Sequence, residues 1–334
     1  MTLLLELNDL SVRCFQDGQL LWQSAGVAVV DPALGQPLFG SAAWRESRKK
    51  PLHTYTQFWS QLNTDPLLGN HPQVRHHGDL AYLHLRHIES QLPFSFAGQE
   101  AVFAVPAALS RESLSLLLGI ANQCGLKTRS FVDSSLASML KHGRAPTFTH
   151  AEMSLHHCVV TELRLSGNTV ERSHSELLHD QGWFSLHTQL LNYFSDLFIR
   201  QTRFNPRHNA ATEQLLFDAI PDWLRQSALL ERDGVASFTC ELNQDSVQVD
   251  IAPLRQFVQA VWQPLQNQLA QTTQLYLGDR LAQCMPLLTL PSHTLPVSVQ
   301  QLTDNFGHTA QALSAQPAGV RFISRLPYQR EVED

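Results

Sequence analysis

The side chains best suited to chemistry in this chain are its histidines, 16 of them, and they cluster. His71, His76, His77, His84 and His87 fall in one polar stretch, residues 63–99. Two of these, His84 and His87, lie three apart on an expected helix with Glu89 close by, a spacing that can bring imidazole and carboxylate to one metal ion. The spacing fits no zinc signature, and histidines on the outer face of an amphipathic helix explain it more simply. A second group, His156-His157-Cys158, sets two imidazoles beside a thiol. In an alternating strand His157 points opposite His156 and Cys158, so three ligands do not meet at one centre and no metal site is expected.

Composition narrows the classes. The chain has 334 residues, 43% hydrophobic and 16% charged, long enough for two domains or one bilobed one. A net charge of −6 offers no basic field for a phosphate backbone, so nucleic acid is not an expected partner. The five cysteines, Cys14, Cys124, Cys158, Cys240 and Cys284, are scattered, odd in number and without a Cys-x-x-Cys pair. That usage points to a reducing compartment, the cytoplasm by default, and away from a disulfide frame. No apolar run reaches bilayer length and the N-terminus lacks a basic flank, so neither membrane insertion nor a signal peptide is expected.

The elements that would position these groups can be read in order. Strands are expected at 2–7, 12–15 and 20–23, with Asp17-Gly18 as a type I′ hairpin signal. A strand at 101–105 ends at Pro106; a helix then starts from Ser110, carries Leu114, Leu117, Leu118 and Ala121 at helical spacing and stops at Gly125. A strand at 128–132 and a helix from Asp133-Ser134-Ser135 complete a unit of the kind found in mainly parallel sheets. Further on, a hairpin turning at Ser166-Gly167-Asn168 is followed by a long helix ending at Asn205-Pro206 and another over 210–230 that Pro221 should kink or divide. A strand pair across Asn243-Gln244-Asp245 leads to a helix over 253–270, and a last helix is expected over 303–315.

The run Val105-Pro106-Ala107, Cys124-Gly125-Leu126, then Val132-Asp133-Ser134-Ser135-Leu136-Ala137-Ser138-Met139-Leu140-Lys141-His142-Gly143 resembles the nucleotide-binding domain of DnaK-type heat-shock chaperones, members of the actin-like ATPase superfamily. There the family reads V-P-A, A-G-L and I-N-E-P-T-A-A-A-L-A-Y-G. The resemblance implies an α/β actin-like ATPase fold of two lobes, each with a mixed β-sheet flanked by helices. Lobe I would take residues 1–149, with 303–316 returning to it, lobe II 150–302, and 317–334 would be a polar tail. No substrate-binding domain follows in the sequence given.

The same resemblance implies a nucleotide cleft whose chemistry is lost. The first phosphate turn, D-L-G-T-T in the family, falls on Glu6-Leu7-Asn8-Asp9-Leu10: a carboxylate is kept at Glu6, the glycine becomes Asn8, and Asp9 puts a negative charge where phosphates would lie. The catalytic lysine falls on or beside Trp59, and the catalytic glutamate on Ser134. The second phosphate turn, D-L-G-G-G-T-F-D-V-S, falls on Glu152-Met153-Ser154-Leu155-His156-His157-Cys158-Val159-Val160-Thr161. There Leu155, His156 and His157 stand where glycines let backbone amides approach phosphate, and the water-orienting aspartate becomes Val159. One glycine of another family pair survives as Gly182, and the adenosine loop is reduced to Gly278-Asp279.

Three functions follow as expectations. The first is a non-hydrolysing, chaperone-like protein, a pseudo-ATPase that serves as an interaction scaffold or assembly factor for a protein partner, with no cofactor. The second is a divergent ATPase that binds ATP with magnesium through Glu6, Glu152 and Asp133. The third is a histidine-rich metal or pH sensor. Trp44, Tyr55 and Trp59 are the candidates for a partner's seat, with core packing as the plainer account of them. At residues 63–99 the resemblance implies the place where the family inserts its lobe-tip subdomain, a surface used by exchange factors and partners, so a partner contact is the alternative to a metal role there.

Overall fold

A computed structural model describes residues 2–67, 74–141, 145–314 and 319–328 of the chain. His71, expected in the histidine-rich stretch, and the His142-Gly143 end of the motif lie outside the described residues.

The N-terminal half starts with β1 (Thr2–Glu6), β2 (Val12–Gln16) and β3 (Gln19–Ser24), an antiparallel meander. Asp17 and Gly18 take φ of 50° and 72°, the left-handed pair that a type I′ turn needs. A small sheet is built from β4 (Ala28–Val29) and β5 (Leu38–Phe39), and α1 (Gly40–Trp44) leads on to its third strand, β6 (Thr54–Tyr55). Helix α2 (His77–Gln91) is followed by β7 (Glu100–Val105), α3 (Arg111–Gln123), β8 (Lys127–Asp133) and α4 (Ser134–Ser138). Ser110 caps α3 by accepting the Ser113 N–H at 3.1 Å, and Asp133 caps α4 by accepting the Leu136 N–H at 3.1 Å.

The C-terminal half repeats the plan. β9 (Thr147–Met153), β10 (His157–Ser166) and β11 (Thr169–His179) form a second meander, followed by α5 (Trp183–Thr202) and α6 (Ala210–Arg232). The hairpin β12 (Ser237–Leu242) and β13 (Asp245–Asp250) precedes α7 (Ile251–Val261) and α8 (Gln263–Leu269). Then come β14 (Leu275–Leu277), α9 (Asp279–Ala282), β15 (Thr294–Pro296) and α10 (Val299–Ser314). Two short strands close the chain, β16 (Phe322–Ile323) and β17 (Arg325–Pro327).

The sheet orders are β16-β8-β7-β1-β2-β3 and β15-β14-β9-β10-β11-β17. In each, a three-stranded antiparallel meander is extended by two strands parallel to its first, β7 and β8 beside β1, β14 and β15 beside β9. The protein is thus α/β with two mixed sheets flanked by helices, and the halves share strand order and direction.

Three cores follow from this layering. α2 and α3 cover one face of the first sheet through Leu80, Leu85, Ile88, Leu117 and Ile120. The C-terminal half has its own core under α5 to α8. Between the sheets a third core takes Leu4, Phe15 and Val132 from one half, Phe148, Leu163 and Tyr276 from the other, and Leu302 and Phe306 of α10.

Four expectations need correction. Pro221, expected to kink or divide the helix over 210–230, does not divide α6, which runs from Ala210 to Arg232. The carbonyl that proline leaves without a helical donor is that of Phe217, and His187 supplies the missing hydrogen from Nε2 at 2.7 Å. β9 starts at Thr147, so the second half begins before residue 150. Residues 322–327 are not simply a polar tail, because β16 pairs with β8 and β17 with β11. His84 is fully buried, not on an outer helical face, because Ala81, His84, Leu85 and Ile88 share the stripe of α2 that packs inward.

Candidate functional site

Where the two meanders face each other, five ionisable side chains meet out of water: Glu6 at the end of β1, Arg13 in β2, Glu152 in β9, and Asp279 and Arg280 at the start of α9. The Arg280 guanidinium donates from Nη1 and Nη2 to the two Glu6 oxygens, both at 2.9 Å, and from Nη2 to the Ser11 carbonyl at 2.7 Å. Arg13 donates from Nη1 to Asp279 Oδ1 at 3.0 Å and lies 3.6 Å from Glu6, while Glu152 is 3.5 Å from Arg280 and accepts the Met153 N–H at 3.0 Å. Planar guanidinium forks suit such two-oxygen pairing.

Burial pushes the Glu152 carboxyl up to about 8, because Arg280 only partly offsets the cost of a second buried negative charge beside Glu6 and Asp279. Burial works against the Arg280 charge as well, but Glu6 and Glu152 outweigh it and hold the guanidinium above its ordinary value. Burial also opposes the Asp279 charge, and the Arg13 hydrogen bonds overcome it and keep that carboxyl low. Burial thus favours the protonated form of Glu152, while Arg280 and Asp279 are held in their charged forms by the partners that face them.

Gly278 shows how close this packing is. A Cβ there would stand 2.1 Å from Glu152 Oε2. The glycine that the sequence places at an adenosine loop thus makes room for a carboxyl group of the protein itself.

The two turns expected to hold phosphates are bonded to each other. Asn8 donates from Nδ2 to the Met153 carbonyl at 3.0 Å, and Asp9 Oδ1 accepts the Leu155 N–H at 2.7 Å. Leu155 enters the small lobe I sheet and packs with Val27, Val29 and Ala43, fully buried. Gly182 fits under the second turn, where a Cβ would lie 2.4 Å from the His157 nitrogen. His156 reaches Thr56 Oγ1 from Nε2 at 2.9 Å, bridging the same seam, and Val159 sits opposite Glu152 in the β9–β10 register.

The remaining sequence candidates are distributed elsewhere. Ser134 opens α4 behind Asp133, which receives Arg172 Nη1 of the other half at 2.7 Å. Trp59 is 3% exposed and donates from Nε1 to His84 Nδ1 at 3.0 Å. Trp44 is half-buried with its ring 5.0 Å from that of Phe217, and Tyr55 is half-buried too. Trp59 is thus a core residue, whereas Trp44 and Tyr55 keep part of their surface accessible and Trp44 also packs on α6.

Burial leaves His84 and His187 uncharged, with each pKa lowered to about 3. His84 stacks on Phe39 at 5.2 Å. Among the described residues no three His, Cys, Asp or Glu side chains converge as a metal site. The five cysteines are all buried and unpaired.

Arg13 and Arg280 belong to this site and were not singled out from the sequence. Their signals were present but unspecific: an arginine inside the apolar strand Val12-Arg13-Cys14-Phe15, and an arginine directly after Asp279. A charged residue at a buried strand position implies a buried counter-ion, without saying which.

No protein-family model matches the chain, and no curated protein matches it. No helix among the described residues is long and apolar enough to cross a membrane.

Proposed function

We propose that the chain is an actin-like, chaperone-like two-lobed protein that does not turn over nucleotide and acts in the cytoplasm as an interaction scaffold or assembly factor. The repeated strand order in the two sheets supports the two-lobed ancestry. Five buried thiols without disulfides suit a reducing compartment.

One observation carries the reading: the turns at Asn8-Asp9 and Met153-Leu155 are hydrogen-bonded to each other. Amides that would have to wrap a triphosphate are spent on the protein. The Leu155 N–H already has Asp9 as its acceptor, and the cleft floor is filled by paired charges instead of open donors. A triphosphate entering here would have to break those pairs and lie against Asp9 as a like charge.

The divergent-ATPase alternative relied on Glu6, Glu152 and Asp133, and each of these is engaged, Glu6 and Glu152 by Arg280 and Asp133 by Arg172 and the α4 cap. The test is thermal unfolding with and without magnesium-ATP. A nucleotide at a hundred times its Kd stabilises by about 2.7 kcal/mol, which is easily seen. No change in Tm up to millimolar ATP is the expected result; a saturable rise overturns the proposal.

A further inference from the structure

Beside the joined turns lies a small cavity that the cluster of charges does not use. Asp9, Ser154 and His157 line it, together with Trp59, Pro106 and Leu109, and its main clear space is little larger than one water molecule. Ala108, which also lines it, is exposed.

Two of the residues lining this cavity each carry a buried polar atom without a hydrogen-bond partner, Asp9 Oδ2 and His157 Nε2. Their residues are only 3% and 7% exposed. Asp9 is oriented, because its other oxygen is fixed by the Leu155 N–H at 2.7 Å and its own carbonyl accepts the Gly26 N–H at 2.7 Å. Among the described residues no lysine or arginine pairs with Asp9. A buried carboxylate left without a counter-ion is costly, so the site lacks one positive charge. Burial lowers the His157 pKa even though Asp9 opposes it, leaving a neutral imidazole able to offer a lone pair.

These features select among ligand classes. A phosphate or carboxylate is excluded by charge and by size. Asp9 and His157 supply two ligands for a metal ion, and no third His, Cys, Asp or Glu joins them among the described residues. A water molecule would fit the space but would leave the carboxylate uncompensated. An ammonium group supplies both the charge and the hydrogens, and the walls at Leu109, Pro106 and Trp59 suit a hydrocarbon stem.

We propose that the cavity between Asp9 and His157 is a binding site for the head of a primary alkylammonium, presented by a free amine or by a lysine side chain. This inference stands on the cavity and does not depend on the scaffold reading.

The test is calorimetric titration and thermal unfolding of the full chain with n-propylammonium chloride. Propanol, sodium propionate and potassium chloride at matched ionic strength serve as controls, and N-acetyl-lysine methylamide as a second arm. Saturable binding of propylammonium but not of the three controls is expected, with affinity at least tenfold weaker in Asp9→Asn, which keeps an acceptor for Leu155. Tighter binding of the lysine derivative than of propylammonium assigns the site to a lysine side chain; the reverse assigns it to a free amine.

Should Asp9→Asn not fold, the wild-type 1H–15N imidazole spectrum decides, since the His157 Nε2 signal must move on adding propylammonium. Binding no different from potassium chloride, equal binding by folded Asp9→Asn, or an unmoved His157 signal overturns the proposal and leaves a buried water or a simple cation in the cavity.

Discussion

The two ends of the seam between the sheets are built from opposite materials. At the turn end Glu6, Arg13, Glu152, Asp279 and Arg280 exchange charge; further along the same strands Leu4, Phe15, Phe148, Tyr276 and Phe306 exchange only dispersion and water release. Alternation along the strands puts both sets on one face: Leu4 precedes Glu6, Phe15 follows Arg13, and Phe148 precedes Glu152 at even spacing. The apolar end supplies adhesion with little preference for register, since its members can slide and repack. The charged end contributes less net adhesion, because desolvation offsets much of its Coulomb energy, but it tolerates one alignment only.

Arg280→Ala tests that division most severely. It leaves Glu6 without its two-pronged donor, and we expect a loss of about 3–5 kcal/mol in denaturant unfolding. A loss below about 1 kcal/mol would show that water enters the charged end and that the contrast is false.

Glu152→Gln probes the same end through protons. In the folded chain this carboxyl holds its proton to about 8, against an ordinary value of 4.5, so between those values the native state binds more protons and stability falls as pH rises. Glutamine removes that slope. Between pH 5.5 and 7.5 the stability of the variant should rise relative to wild type by about 2–3 kcal/mol, at roughly 1.4 kcal/mol per pH unit. A difference that stays flat with pH means that Glu152 is ionised in the cluster.

Phe306→Leu acts on the apolar end. Loss of the edge-on contact with Phe15, whose centroid is 5.0 Å away, should cost about 1–2 kcal/mol in the same unfolding assay, independent of pH. A pH-dependent cost would link the two ends.

Legibility in the sequence followed the range of the interaction. The Asp17-Gly18 hairpin, the Ser110 cap and the strand pair at 237–250 are decided by neighbours in the chain, and all three were readable. That α6 continues through Pro221 is not legible locally, because the Phe217 carbonyl is satisfied by His187, on another helix. The resemblance singled out Glu6, Glu152, Gly278 and Asp279 as positions, but their joint arrangement depends on pairs such as Arg13 with Asp279 and Arg280 with Glu6, 266 and 274 residues apart. No local pattern reports a partner at that separation. Trp44, Tyr55 and Trp59 read alike in the sequence, yet only Trp59 is buried, since exposure is set by the packing of distant elements and not by residue type.

The last two strands bear on motion. β16 joins the first sheet and β17 the second, and a single residue, Ser324, spans the gap, its carbonyl accepting the Arg172 N–H at 3.0 Å. So short a tether keeps each half at high effective concentration for the other. Wide separation of the halves would have to peel one of these two strands from its sheet.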